Sequence, residues 1–331
     1  MKKTITFIVL TALILVLVTS CAPKVEKTVA KTEQERYVYL VVGLDDAAEN
    51  TDVIFTLSYD SKNNTAYIAQ IPRDTYYYFG KSQNKINQIF SSLISEGKSN
   101  KEALRITSEK IADLFGTKFD GYIGLTIDTT KAIIDAIGGI DLDLEKDMIL
   151  CPDGESPIVL NKGRNHIDSD TAIRFIRFRS GYAMGDLGRI DAQKLFLNAL
   201  FCKIKDGGIS LPLIFKLANI FQNKIITNIK LVDLLPVYVD AMNSNVDKKV
   251  FYLTVPGLPC QNSKGLSFYV LNRKSVAEIS KRYMNSTCAF DAGYLCKNPQ
   301  EPQFESIYED DSIGYYEYSN DNINNIRIIN K

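Results

Sequence analysis

Between Tyr37 and Val255, short β-branched and aromatic runs alternate with longer segments of helical spacing, and that alternation restricts the fold more than any other feature. Tyr37-Val38-Tyr39-Leu40-Val41-Val42-Gly43 predicts a buried strand that ends on glycine. Val53–Tyr59 and Thr65–Ile71 predict two more, joined by the turn-forming Asp60-Ser61-Lys62-Asn63-Asn64. Lys101–Phe115 places Leu104, Ile111, Leu114 and Phe115 at helical spacing and stops before Gly116. Thr129–Ile137 is a second helix, closed by Gly138-Gly139. Ile140-Asp141-Leu142-Asp143-Leu144 then alternates with period two, as a half-exposed strand does. Helices are expected around Asp168–Phe178, Gly185–Lys205 and Lys230–Met242, although Pro236 interrupts the last. Val250–Val255 is a late strand. Strands alternating with helices define a layered α/β domain.

The N-terminus is of a different kind. Met1-Lys2-Lys3 precedes an apolar run from Ile5 to Val18 that closes on Val18-Thr19-Ser20-Cys21. A basic start, a short apolar stretch and small residues before a break make a secretory signal over residues 1–20. The Thr19-Ser20-Cys21 junction resembles a lipobox, in which cleavage leaves Cys21 as a lipidated N-terminus. The alternative is an uncleaved single-span anchor, for which the run is short. Both place the remainder outside the cytoplasm on a polar tether that ends near residue 36. Five cysteines then remain, an odd number: Cys202 reads as a small hydrophobe, and one local disulfide among Cys260, Cys288 and Cys296 has no readable pairing.

Charge and histidine content remove several function classes. The 331 residues carry 39 Lys+Arg against 39 Asp+Glu, so nothing global points to nucleic acid. With one histidine, His166, no multi-His metal centre can form, and no G-x-S-x-G elbow accompanies it. His166 reads as a surface or loop residue. Carboxylates, guanidinium groups and a divalent cation are left as the chemistry.

Three patches carry that chemistry. Asp45 follows the first strand and Asp52 precedes the second, and carboxylates at adjacent strand ends suit one hard cation such as Mg²⁺. Pro72-Arg73-Asp74 ends the third strand, with Lys81 and Lys85-Ile86-Asn87 downstream. An arginine there offers a planar fork for phosphate oxygens. In the third patch, Arg174, Arg177 and Arg179 alternate with large hydrophobes, and Asp186, Arg189 and Gln193 share one helix face that continues as Phe196 and Leu200. Residues 171–205 hold seven Lys and Arg against two acids in a chain of balanced charge. Guanidinium groups among Phe and Ile are costly to bury without an anion, which favours an anion site over a basic surface helix.

Taken in order, Asp45, Asp52, Pro72-Arg73-Asp74, Lys85-Ile86-Asn87, Gly138-Gly139-Ile140-Asp141, Arg177-Phe178-Arg179 and Asp186–Gln193 resemble the LytR-CpsA-Psr family over roughly Tyr37 to Tyr283. The resemblance implies an α/β/α layered domain with a mixed central sheet, here residues 37–288; the changed composition beyond it reads as an acidic, Asn- and Tyr-rich tail (289–331), poorly ordered or peripheral. The resemblance also implies transfer of an anionic glycopolymer from a polyprenyl-pyrophosphate carrier to peptidoglycan, with Mg²⁺ or alternatively Mn²⁺, at the outer face of a Gram-positive-type cell membrane. In that reading Asp45 and Asp52 hold the metal, and Arg73, Lys81, Arg177, Arg179 and Arg189 clamp phosphate. Lys85 also contacts substrate, Gln193 completes a polar lip, and Phe196 and Leu200 face the prenyl chain. Asp186 either orients Arg189 or acts on the incoming hydroxyl. The chain departs from the family at Asn50, where a basic residue is usual, and at Ala192, where arginine is usual. A polyprenyl-pyrophosphate hydrolase and a non-catalytic polymer-binding lipoprotein remain as alternatives.

Overall fold

The computed structural model describes residues 36–45, 50–79, 82–151, 156–179, 182, 185–207, 210–234, 249–284, 304–308, 310–320 and 322–323. Fifteen strands occur among them: β1 (Arg36–Leu44), β2 (Thr51–Asp60), β3 (Thr65–Gln70), β4 (Tyr76–Phe79), β5 (Ser82–Lys85), β6 (Gly121–Leu125), β7 (Ile140–Leu144), β8 (Met148–Leu150), β9 (Ile158–Leu160), β10 (Gly163–Ile167), β11 (Ile226–Thr227), β12 (Lys249–Thr254), β13 (Gly257–Gln261), β14 (Ser267–Leu271) and β15 (Tyr318–Ser319). The helices are α1 (Gln88–Ser95), α2 (Asn100–Leu114), α3 (Ile127–Ile137), α4 (Ser169–Arg177), α5 (Asp186–Gly207), α6 (Leu211–Lys224), α7 (Arg273–Tyr283) and α8 (Glu305–Tyr308).

Seven strands form one sheet in the order β11-β6-β1-β2-β3-β12-β15. The β1–β2 and β2–β3 pairs are antiparallel, whereas β1–β6 and β3–β12 are parallel, so the sheet is mixed. Both faces of β1 are covered, which explains its unbroken apolar run. Val38, Leu40, Val42 and Leu44 pack on one side with residues of α1, α2 and α7. Tyr37, Tyr39 and Val41 pack on the other with Leu195 and Phe201 of α5 and Phe221 of α6. The three layers and the mixed sheet match the expected fold. A third apolar cluster joins α3, α4 and α5 to β7–β10.

Local chemistry fixes the helix ends. Ser99, Thr126, Asp168, Ser210 and Asn272 each accept a backbone N–H from the first turn of α2, α3, α4, α6 and α7. At α4 the Asp168 carboxylate accepts from Thr171 N–H at 2.8 Å. That bond holds the Asp168 carboxyl below its usual range. The stabilisation is therefore complete at neutral pH and fades as pH falls through the lowered folded-state value. Asp168→Ala should lose about 1 kcal/mol at pH 7 in urea unfolding and much less near pH 2. An equal loss at both pH values would remove the capping carboxylate from the account.

Three expectations change. The helix expected over Lys230–Met242 is, where described, a single 3-10 turn at Leu231–Leu234; residues 235–248 lie outside the described residues. The tail is not wholly peripheral. Phe304, Ile307, Tyr308 and Ile323 are buried, and β15 extends the central sheet beside β12. An excess of acids over the stretch concealed the few apolar residues that anchor it. Among the late cysteines Cys260 is unpaired, while Cys288 and Cys296 lie outside the described residues. Cys151 and Cys202 form no disulfide among the described residues. The segment 1–35, with the expected signal and Cys21, lies outside the described residues too. Among those described, no helix is long and apolar enough to cross a membrane.

Candidate anion site

The site is built where the open end of the β1–β2 hairpin meets the first turns of α5. Gly43 pairs with Val53 and Leu44 with Thr51, which leaves Asp52 as an extra residue in a β-bulge. A bulge re-aims the side chain it contains, and here the Asp52 carboxylate is directed onto Arg73 in an ion pair. Arg73 is fixed just past β3: Ile71 N–H donates to Ile54 O at 2.8 Å, and Thr75 N–H closes a turn on Pro72 O at 3.0 Å. Arg73 Nε lies 3.6 Å from Asp186 Oδ1. The same Oδ1 is 2.8 Å from Arg189 Nη2, one helical turn along α5. Arg189 Nη2 also donates to the Asp52 carbonyl at 3.4 Å, closing a ring of two arginines and two aspartates.

The ring is buried and incompletely satisfied. The Arg189 side chain is 4% exposed and that of Arg73 is 16% exposed. Arg73 Nε, Arg189 Nε and Asp186 Oδ1 are nevertheless buried without a hydrogen-bond partner among the described residues, despite the ion pairs. Native interiors leave few such atoms, and a missing ligand is one of the standard reasons for them. Burial alone lowers the Arg73 pKa, but Asp52 and Asp186 outweigh it and raise the value above the ordinary one. Burial lowers the Arg189 pKa, and Arg73 adds to the effect, with only partial compensation from Asp186 and Asp52. Arg189 remains a cation, short of negative charge.

Other expected residues fall at different distances from the ring. Asp45 is occupied by its own loop. Asn50 donates to it through the backbone at 3.2 Å and through Nδ2 at 2.8 Å, while Asp45 N–H donates to Asn50 O at 3.0 Å. Asn50 therefore serves as a clamp on the short loop in place of a basic group. Asp74 pairs with Lys85 at 3.0 Å, and the Lys85 ammonium stands 5.9 Å from the Phe268 ring centroid. Lys81 lies outside the described residues. Arg177 and Arg179 are exposed, and the charge of Arg179 reaches Arg189. Gln193 is not at a lip. It is buried, accepts from Gln70 Nε2 at 3.2 Å and donates to Ile176 O at 3.2 Å, tying α5 to β3 and α4. Phe196 is buried in the third apolar cluster beside Phe175 and Tyr182, so its ring serves as packing. Leu200 is half-buried against three clusters. His166 is exposed on β10, where Nδ1 meets Asp141 Oδ1 at 2.8 Å.

Two further residues support the site: Asn87, the end of the expected Lys85-Ile86-Asn87 motif, and Gly188, which the sequence did not single out. Asn87 donates its N–H to Arg73 O at 3.3 Å and receives the Thr51 hydroxyl on its carbonyl at 3.4 Å, so it braces both strands of the site. Gly188 sits between Asp186 and Arg189, where a Cβ would lie 2.6 Å from Tyr182 Cβ. The only available signal was a small residue inside the charged motif.

No group of three or more His, Cys, Asp or Glu that could hold a metal occurs among the described residues. Magnesium does not require one: one or two carboxylates with phosphate oxygens and water suffice. Asp45 and Asp52 are of that donor type, and each carboxylate is already engaged, Asp45 by Asn50 and Asp52 by Arg73.

A mixed sheet covered by helices on both faces, with paired, buried arginines at its rim, defines a three-layer α/β protein. The chain belongs to the LytR_cpsA_psr family, whose model matches residues 18–285. It is 27% identical over 240 residues to the Bacillus subtilis (strain 168) polyisoprenyl-teichoic acid--peptidoglycan teichoic acid transferase TagV, the match covering 69% of this chain and 59% of that protein. It is 24% identical over 253 residues to the TagU transferase of the same description from Bacillus anthracis (strain CDC 684 / NRRL 3495), covering 72% of this chain and 75% of the relative. The crystal structure of B. subtilis TagV superposes with a TM-score of 0.61 at 24% identity over 77% of this chain and 98% of that one. A structure of TagT bound to LIIa-WTA superposes with a TM-score of 0.59 at 18% identity, over 76% and 91% of the two chains.

Proposed function

We propose that this chain is a phosphotransferase that moves an anionic glycopolymer from a polyprenyl-pyrophosphate carrier to peptidoglycan. The observation that carries the proposal is the pair of buried guanidinium Nε atoms, Arg73 and Arg189, left without hydrogen-bond partners among the described residues. A pyrophosphate supplies the acceptors they lack, and relatives that match most of this chain are named as transferases acting on polyisoprenyl-linked teichoic acid and peptidoglycan.

In this reading an acceptor hydroxyl oxygen bonds to the phosphorus that carries the polymer. The bond from that phosphorus to the bridging oxygen breaks, and polyprenyl phosphate leaves with the electron pair. The hydroxyl proton passes to solvent or to a carboxylate at the rim. Arg73 and Arg189 hold the oxygens on which charge accumulates, and charge-assisted, pre-oriented donors are effective there. Asp186 orients Arg189, and the Asp52 bulge orients Arg73. Arg177 and Arg179, both exposed, would reach the outer oxygens, and the charge of Arg179 already reaches Arg189. Asp45 and Asp52 would hold Mg²⁺, or Mn²⁺ in its place, and such an ion would neutralise further phosphate charge.

The site would work at the outer face of the membrane, with the chain tethered through lipidated Cys21. Cys21→Ala should leave an unprocessed precursor by mass spectrometry of the membrane fraction. An intact, unlipidated wild-type chain from Met1 would exclude that anchor.

The transfer reading is tested by incubating the purified protein with a lipid-linked pyrophosphate donor, peptidoglycan fragments and Mg²⁺. The expected product is polymer joined to glycan with release of polyprenyl monophosphate. Release into water alone would make the protein a hydrolase. Donor binding without turnover would make it a non-catalytic lipoprotein.

A further inference from the structure

A second concave site lies away from the arginine ring. The C-terminal segment folds along α7, and between them is a groove of about 530 Å³. That volume is typical of small-ligand sites, roughly 300–1,000 Å³. Its walls are fixed by hydrogen bonds. Asn272 Nδ2 donates to Ile307 O and Asp310 O at 2.9 Å each, and the Ser275 hydroxyl donates to Ile313 O at 2.7 Å. The Tyr315 hydroxyl links Glu278, Arg282 and Tyr283, each at 3.2–3.3 Å. The far end of α7 adjoins the start of β1, where Arg36 Nη1 donates to Arg282 O at 2.6 Å. A nine-residue strand separates that end from the Asp52 bulge, a distance of about 26 Å at the usual rise.

The lining selects a ligand class. Four acids line the groove (Glu278, Asp310, Asp311 and Glu317) against two bases, with Lys274 paired to Asp311 at 2.6 Å and also acting on Asp310, and Arg282 paired to Glu317 at 3.4 Å. The groove therefore carries two more acids than bases, which disfavours the polyanion that the arginine ring favours. Its lining mixes carboxylate, hydroxyl and amide groups, which suit hydroxyl groups that both give and accept. Beside them Tyr316 presents its ring to solvent at 83% exposure. A flat amphipathic ring next to mixed polar groups suits the C–H face of a sugar.

We propose that this groove binds an uncharged oligosaccharide. Its meaning, as a hold on the acceptor glycan strand while the polymer is transferred elsewhere on the molecule, rests on the transferase reading; the binding itself does not. The test is an NMR or calorimetric titration of the full chain with chitotetraose, a soluble tetramer of N-acetylglucosamine. Saturable binding is expected, weakened at least fivefold by Tyr316→Ala and by Glu278→Gln, both at exposed positions, and unchanged by Arg189→Ala. The proposal is overturned by absence of saturable binding, by binding indifferent to Tyr316→Ala, or by tighter Tyr316-dependent binding of tetralysine than of the sugar. Absence of transfer by the wild-type chain, with sugar binding intact, would count against the transferase reading alone.

Discussion

Arg189→Ala is expected to lower single-turnover transfer about 10- to 100-fold, the loss of one charge-assisted contact to the substrate anion. Arg73→Ala should do the same. The double variant should lose less than the product of the two, because both residues grip one ligand and share Asp186. Arg189 has a second role that Arg177 and Arg179 lack. It is buried against Asp186, so its removal also destabilises the fold, by about 1–3 kcal/mol in urea unfolding. Arg189→Lys should recover part of that stability but little activity, since an ammonium cannot reproduce the planar fork. Arg177→Ala and Arg179→Ala, at exposed positions, should leave stability within about 0.5 kcal/mol of wild type, so any fall in transfer reads directly as lost substrate contact. Wild-type activity in Arg189→Ala with a normal fold would contradict the role assigned to the ring.

The second large effect concerns the Gly138-Gly139 motif. Both residues have positive φ, +77° and +80°, and Gly138 is the left-handed cap of α3. Their surroundings differ. A Cβ on Gly138 would meet nothing within 4 Å, whereas one on Gly139 would lie 2.7 Å from the Ile167 backbone oxygen and 2.8 Å from His166 Nε2. Gly138→Ala should therefore lose only the left-handed penalty, about 1 kcal/mol. Gly139→Ala adds a clash with backbone that β10 cannot relieve without moving off β7, for a total of about 2–4 kcal/mol. Chemical unfolding of the two variants measures the difference. Equal losses would mean that β10 yields, and that the second glycine is dispensable for packing.

Most of the fold was legible because the central strands and helices are long and strongly patterned. The run from Tyr37 to Gly43 had one reading, and Ile140–Leu144 alternated cleanly. What escaped was short or atypical. β6 is Gly-Tyr-Ile-Gly-Leu, and its glycines are there because Cβ atoms would meet Ile229 and Leu104 at 2.4 and 2.6 Å. The site was legible as a set of residues and much less so as a geometry. Asp52, Arg73, Asp186 and Arg189 come together as their residue types required. The bulge that aims Asp52 depends on a one-residue register shift, which no local composition announces. Gln193 and Phe196 shared the helical stripe with Arg189, but α5 is buried on more than one side, so helical spacing alone could not separate lining from packing.

The central claim is that the Asp52–Arg73–Asp186–Arg189 ring receives a pyrophosphate. Calorimetric titration with geranylgeranyl pyrophosphate, alongside the monophosphate, tests it without requiring polymer, acceptor or turnover. Saturable binding of the pyrophosphate is expected, with weaker binding of the monophosphate and at least a tenfold loss in Arg73→Ala and in Arg189→Ala variants that remain folded. Equal affinity of wild type and both variants for the pyrophosphate would contradict it.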